Sequence, residues 1–216
     1  MERRGFSRAL HDESPMVNPS GDSAMLGQWR LVLRQAEESA RAGRFDEALA
    51  LANRPEVADH RQALILRTRL ANELVGRAER RARADDIAGA IADLDLAQKF
   101  GAAPDILAAT RLSVADRVAD EVGVLMNAGD PVRTLERIED LARHHVSGPV
   151  LRRIREAAES WRSALDEARR GEFGHAHERL DRTERLAGES AAPALAAARR
   201  DLEARQKSAS PKVELL

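Results

Sequence analysis

The chain has no cysteine and no tyrosine, and four phenylalanines and two tryptophans are all its aromatic residues, 3% of 216 positions. Without cysteine, disulfides and thiolate metal sites are excluded. So few aromatics leave little with which to stack single-stranded nucleic acid, and packing has to rest on small aliphatic side chains. An excess of one charge is missing too, since 35 basic residues face 36 acidic ones and the formal net charge is −1. Nucleic-acid surfaces are usually clearly basic, so the clusters "RAERRAR" at 77 to 83, "RRIR" at 152 to 155 and "ARR" at 198 to 200 do not argue for one. Lysine is confined to Lys99, Lys207 and Lys212, and a compositional preference for arginine produces such clusters without a binding role. No apolar run approaches the ~18 residues of a membrane span, and the N-terminus lacks the apolar stretch of a secretory signal. No membrane association and a cytoplasmic location are therefore expected.

What the chain has in quantity is Ala, Leu, Arg and Glu, the residues that favour helix, with no alternating strand pattern. Four short stretches resemble one another: "RAGRFDEAL" at 41 to 49, "RADDIAGAI" at 83 to 91, "NAGDPVRTL" at 127 to 135 and "RRGEFGHAH" at 169 to 177. Their starts lie 42, 44 and 42 residues apart, a near-constant spacing that marks a stacked repeat. In each, an apolar helical run ends in a basic residue or Asn and then reaches a Gly or Asp able to adopt the left-handed conformation that closes a helix. A carboxylate follows at Asp46, Asp86, Asp130 or Glu172, where the next helix exposes unpaired N–H groups. Phe45, Ile87, Pro131 or Phe173 then pins the second helix on the first.

Between these corners stand Pro55, Pro104, Pro149 and Pro193, each expected to open a helix. The spacing predicts helices near 25–42, 44–53, 57–84, 87–100, 105–128, 132–146, 150–170, 173–187 and 194–206. Their apolar residues recur on one face, as in Trp29, Leu33, Ala36, Ala40 and in Trp161, Ala164, Leu165, Ala168. Residues 1–24 have mixed polar composition without period and are expected to be disordered. Residues 25–206 form the array, and 207–216 are a tail that turns apolar after Pro211, as at the start of a further helix.

The corners "AGRFDEAL" and "RGEFGHA" resemble the turn inside a tetratricopeptide repeat, with Gly43, Phe45, Ala48 and Gly171, Phe173, Ala176 standing for its glycine, aromatic and small residue. The period of 42 to 44 exceeds the 34 of that family, and Asp85 stands where glycine belongs. The resemblance covers 25–206 and implies an all-α fold, a right-handed α-solenoid of about four helix-turn-helix units. It also implies a scaffold that binds peptides and organises assemblies. The chain as a whole resembles, too, the helical-repeat regions that precede forkhead-associated domains in bacterial signalling proteins, although no residues of such a domain are present.

Catalytic chemistry finds no residues to carry it. His175 and His177 are two apart and diverge around a helix, His144 and His145 fall in a last helical turn, and His60 stands alone, so all five read as solvated helix histidines. The carboxylates, such as Asp85, Asp86, Glu136, Glu139 and Asp140, lie near arginines and read as salt-bridged surface. There is no nucleophile turn and no phosphate loop, so no enzyme, cofactor or metal is expected.

One aligned column remains: Arg41, Arg83, Asn127 and Arg169. Arginine in a last helical turn favours the C-terminal dipole end by ~0.3 to 1 kcal/mol, and this suffices to explain the column. In a tetratricopeptide-like array, however, such a column forms a polar ladder along the groove lined by first helices. Together with Arg34, Arg162 and the apolar Leu33 and Trp161, it is expected to hold a protein or peptide segment of acidic or mixed charge. The alternative is a structural spacer or oligomerisation arm of a larger multidomain signalling protein.

Overall fold

A computed structural model of the chain describes residues 20–209. Among them are nine α-helices and no strand, as the composition requires. In order they are α1 (Ser20–Arg41), α2 (Phe45–Ala52), α3 (Arg61–Arg83), α4 (Ile87–Lys99), α5 (Pro104–Asn127), α6 (Pro131–Arg143), α7 (Pro149–Arg169), α8 (Phe173–Ala187) and α9 (Ala192–Ala209), with a 3₁₀ turn over Glu189–Ala191 before the last. The helix α1 starts at Ser20, inside the stretch expected to be disordered, whose residues 1–19 lie outside the described residues. The helix α9 runs to Ala209, and residues 210–216 lie outside as well.

The four corners share one backbone geometry. Gly43, Asp85, Gly129 and Gly171 all have positive φ, between 65° and 82°. Each closes its helix with two bonds: its own N–H reaches the carbonyl three residues back (Ala40, Ala82, Met126 and Ala168), and the next N–H reaches the carbonyl five back (Ser39, Arg81, Leu125 and Glu167). This pair of bonds satisfies carbonyls that a helix end would otherwise leave open. The same closure recurs at Gly101 after α4 and at His145 after α6. Phe45, Ile87, Pro131 and Phe173 each begin the following helix. Of the four carboxylates expected to cap, two do so: Asp86 accepts from the Gly89 N–H at 2.9 Å and Asp130 from that of Arg133 at 3.0 Å. Asp46 lies within the first turn of α2 without capping, and Glu172 turns back to Arg170, 3.0 Å away. The arginine fork competes better than the helix end, because it is itself charged.

Asp85 and His145 hold a left-handed conformation that costs L-residues roughly 1–2 kcal/mol, and neither has a side-chain partner that needs it there. Asp85→Gly and His145→Gly are each expected to stabilise the chain by about 0.5–1 kcal/mol, after allowing for the greater freedom of glycine in the unfolded state. The converse change, Gly171→Ala, meets open space, since a Cβ there has no atom within 4 Å. It should nonetheless destabilise by about 1 kcal/mol, because the obstacle is torsional. Thermal midpoints measure all three, and a rise for Gly171→Ala would contradict the assignment.

The prolines divide as well. Pro104 and Pro149 begin α5 and α7, and Pro193 is the second residue of α9. Pro55 opens no helix. Residues 53–60 run through successive turns in which the Arg54 carbonyl accepts from the N–H groups of Val57 and Ala58, and burial of Val57 ties the segment down. His60, expected on a helix surface, sits at the end of these turns and stacks on Trp29 of α1 with ring centroids 4.1 Å apart.

The described chain forms two compact units that divide between Leu66 and Arg67, within α3. In the first, α1 packs on α2. In the second, α5 packs against α4, α6, α7 and α9, and α7 against α6 and α8, with α9 closing on α8. Close crossings are made by small residues: Ala48, Ala90, Thr134 and Ala176, each three residues into a second helix, are all 0% exposed. Short side chains at such positions let helices pack closely.

A charge pair ties first to second helices, and its polarity changes along the chain. Asp93 of α4, buried, accepts from Arg77 and Arg81 of α3 at 2.6 and 2.9 Å. The fork of Asp93 pushes the Arg77 guanidinium above its ordinary pKa. Forty-four residues on, the roles are exchanged and Glu121 of α5 meets Arg137 of α6 at 3.2 Å. In α7 and α8 the exchange is repeated by Glu167 and Arg179, also at 3.2 Å. Either polarity serves, because the pair spans the same two helices. At the far end Arg199 of α9 clasps Asp181 and Glu184 of α8, and its hydrogen bond holds the Glu184 carboxyl below the usual range.

Candidate functional site

The arginine column is found where the sequence places it, at the last turns of first helices, but each arginine is already engaged. Arg41 pairs with Glu37, Arg83 with Glu79 and Arg169 with Asp166, all three or four residues back on the same helix. Arg34 pairs with Glu38 in the same way, while Arg162 is exposed. Pairs of this kind are exposed and worth roughly 0.3–0.5 kcal/mol each. They neutralise the ladder locally, so the column is not the uncompensated positive strip that the sequence suggested.

Trp161 is displaced further from that expectation. It is 2% exposed and packs among Met126, Ala157, Ala164, Ala176, Leu180 and Leu195. Leu33 is buried as well. Both belong to the core rather than to an open groove wall, because the face of a first helix that carries them is the one covered by neighbouring helices.

Of the residues expected to line a groove, Asn127 borders a concavity. Between the first helices α5 and α7, and closed at one end by the last turn of α8, lies a recess of about 280 Å³. Its floor is Ala119, Gly123, Met126, Ile154 and Ala157, with Leu186 and Ala187 at the end. Asp120 and Asn127 stand on the α5 rim, Val150 and Arg153 on the α7 rim. The helical period explains this lining. On α5, residues 119, 120, 123, 126 and 127 share one face, and on α7 residues 150, 153, 154 and 157 do. Asp120 and Arg153 make no ion pair with any other described residue, in contrast to the arginines of the column. Gly123 is open to the recess, as a Cβ there has no atom within 4 Å.

The rims of the recess hold one carboxylate, one guanidinium and one amide, of Asp120, Arg153 and Asn127. Among the described residues no group of three His, Asp or Glu side chains is placed to hold a metal ion. No described helix is long and apolar enough to cross a membrane.

Gly123, Asp120, Arg153 and Ile154 were not singled out by sequence. A signal for Gly123 existed in the aligned positions, where Glu37, Glu79, Gly123 and Leu165 occupy one column and glycine in a helix interior costs about 1 kcal/mol against alanine. No protein-family model, curated protein or solved structure matches this chain.

Proposed function

We propose that the chain is a tetratricopeptide-like right-handed α-solenoid of about four helix pairs, acting as a non-catalytic scaffold that holds a protein or peptide segment in the groove between first helices. The observation that carries this reading is the recess between α5 and α7, with an apolar floor and three uncommitted polar side chains on its rims. Binding grooves combine apolar area for affinity with a few placed polar groups for orientation. With one acid and one base on the rims, the groove suits a segment of mixed charge better than a purely acidic one. The compensated arginines of the column serve helix ends.

The test is selection of linear peptides from a random displayed library on the full chain, followed by hydrogen exchange of the complex. The most enriched peptide should slow exchange along residues 119–127 and 150–157, and Ile154→Glu should abolish its binding by placing a charge in the apolar floor. Failure to enrich any peptide, or protection confined to other helices, would favour the spacer reading.

A further inference from the structure

Resting on that reading, we infer that the pair Gly123 and Asn127 is the specificity determinant of the groove, forming a notch that takes one bulky apolar side chain, aromatic in the best case. The segment that carries it has a basic residue for Asp120 and an acidic residue for Arg153.

The inference follows from comparing aligned positions. Where the corner residue is Arg41 or Arg83, the residue one turn before it is Glu37 or Glu79, and the two side chains close over the helix as an ion pair, at 3.5 and 3.2 Å. In α5 both members of that pair are replaced at once, the glutamate by Gly123 and the arginine by Asn127. The surface is thereby left bare where the other helices cover themselves. In α7 the same two positions are Leu165 and Arg169. Leu165 lines a second recess, between α7 and α9, together with Ala164, Ala168, Ala198 and Leu202. That recess is about 20 Å³, against about 280 Å³ beside Gly123. A leucine at the aligned position accompanies a nearly filled groove, and a glycine an open one.

The size and chemistry of the notch define its occupant. A cavity of roughly 150 Å³ lined by aliphatic residues holds a benzene ring, so the recess at Gly123 accommodates an aromatic ring with its linking methylene. Its floor offers methyl and methylene groups and the Met126 thioether, which contacts ring edges favourably. The chain itself has no tyrosine, and its tryptophans Trp29 and Trp161 are stacked on His60 and buried in the core, so neither fills the notch. Aromatic anchors seated in a pocket and ringed by contacts that exclude water are a usual form of a binding hot spot. Asp120 and Arg153 stand on opposite rims and pair with nothing among the described residues, so an anchor flanked by one charge of each sign matches both.

Gly123→Leu tests the notch in a chain that remains folded, because the new side chain meets no atom at its base and leucine favours helix. The probe is N-acetyl-tryptophanamide, titrated into the full chain and followed by amide NMR. Resonances of Gly123 and Ala157 should move with the wild type, should not move with N-acetyl-glycinamide, and should lose the response in Gly123→Leu. Library peptides enriched on the wild type should carry one bulky apolar residue and lose ~10-fold or more in affinity for Gly123→Leu, as a filled pocket rejects its ligand. The double variant Asp120→Arg, Arg153→Glu should select peptides with the flanking charges exchanged. Absence of any response to N-acetyl-tryptophanamide, or equal responses in both chains, overturns the notch. Enriched peptides that occupy the groove yet bind Gly123→Leu equally well also overturn it, and leave the scaffold reading standing. If no peptide is enriched at all, the scaffold reading itself fails.

Discussion

Asp93→Ala is expected to destabilise the chain by about 3 kcal/mol in urea denaturation, the low end of the range for removing one partner of a buried ion pair. Asp93 is 1% exposed and accepts three hydrogen bonds, from Nε and Nη2 of Arg77 at 2.7 and 2.6 Å and from Nη1 of Arg81 at 2.9 Å. Loss of the carboxylate leaves two guanidinium groups beside a cavity. Their side chains are about one-third exposed, 31% and 37%, so they can turn partly into water, and Arg81 keeps its bond to the Gly89 carbonyl at 3.1 Å. Hence the low end. Asp93→Asn, which keeps the shape and loses the charge, should fall between the wild type and Asp93→Ala. A double-mutant cycle with Arg77→Ala should return a clear coupling, since the two residues share a bidentate contact. A loss below ~1 kcal/mol for Asp93→Ala would place the pair among ordinary surface bridges and remove it as the tie between α3 and α4.

The second large effect is expected at Trp161. Trp161→Ala should cost about 3–5 kcal/mol, the usual range for emptying a buried aromatic site. The ring is 2% exposed and belongs to a core cluster that draws residues from α5, α7, α8, the 3₁₀ turn and α9, so its removal opens a cavity within a core that five elements share. Such a junction relaxes poorly. Fluorescence gives an independent check: in a Trp29→Phe background the remaining indole should resist collisional quenching by acrylamide until the chain unfolds. Ready quenching in the native state would mean that Trp161 faces solvent and returns it to the groove wall. Because the recess at Gly123 lies beside this cluster, sharing Met126 and Ala157 with it, Trp161→Ala should weaken peptide binding indirectly. Gly123→Leu should weaken it ~10-fold or more without loss of stability, and the comparison separates packing from recognition.

Different parts of this architecture depend on information of different range. The corners were legible because their determinants sit within a few consecutive residues. A residue tolerant of positive φ, a first helical residue and the apolar run before them are enough to stop one helix and start the next. Asp85, which breaks the glycine pattern, still takes the left-handed conformation, as short polar side chains can. Of the small residues at the crossings, Ala48 and Ala176 were legible, while Ala90 and Thr134 at the same positions emerged only with the structure. Their spacing from the corner is local, and their complete burial follows from the crossing that the corner imposes. Pro55 marks where this reasoning ends, since proline permits a helix start without requiring one, and the burial of Val57 and the stacking of His60 decided for turns.

The sequence by itself determined the helical class, the corners and the alignment of one corner with the next, since each of these is a matter of backbone torsion and bonds between near neighbours, whereas the starts of α1 at Ser20 and of α3 at Arg61 departed from it. It marked Asp86 and Asp130 as caps by their place at a corner, but gave no sign that Asp93 is buried under the guanidinium groups of Arg77 and Arg81, 16 and 12 residues before it. Nor could it separate Gly123 from Leu165, or place Trp161 in the core. Only the tertiary structure decided these, because burial and open volume depend on which face of a neighbouring helix comes opposite. That is set by contacts between residues dozens of positions apart, which local sequence does not encode.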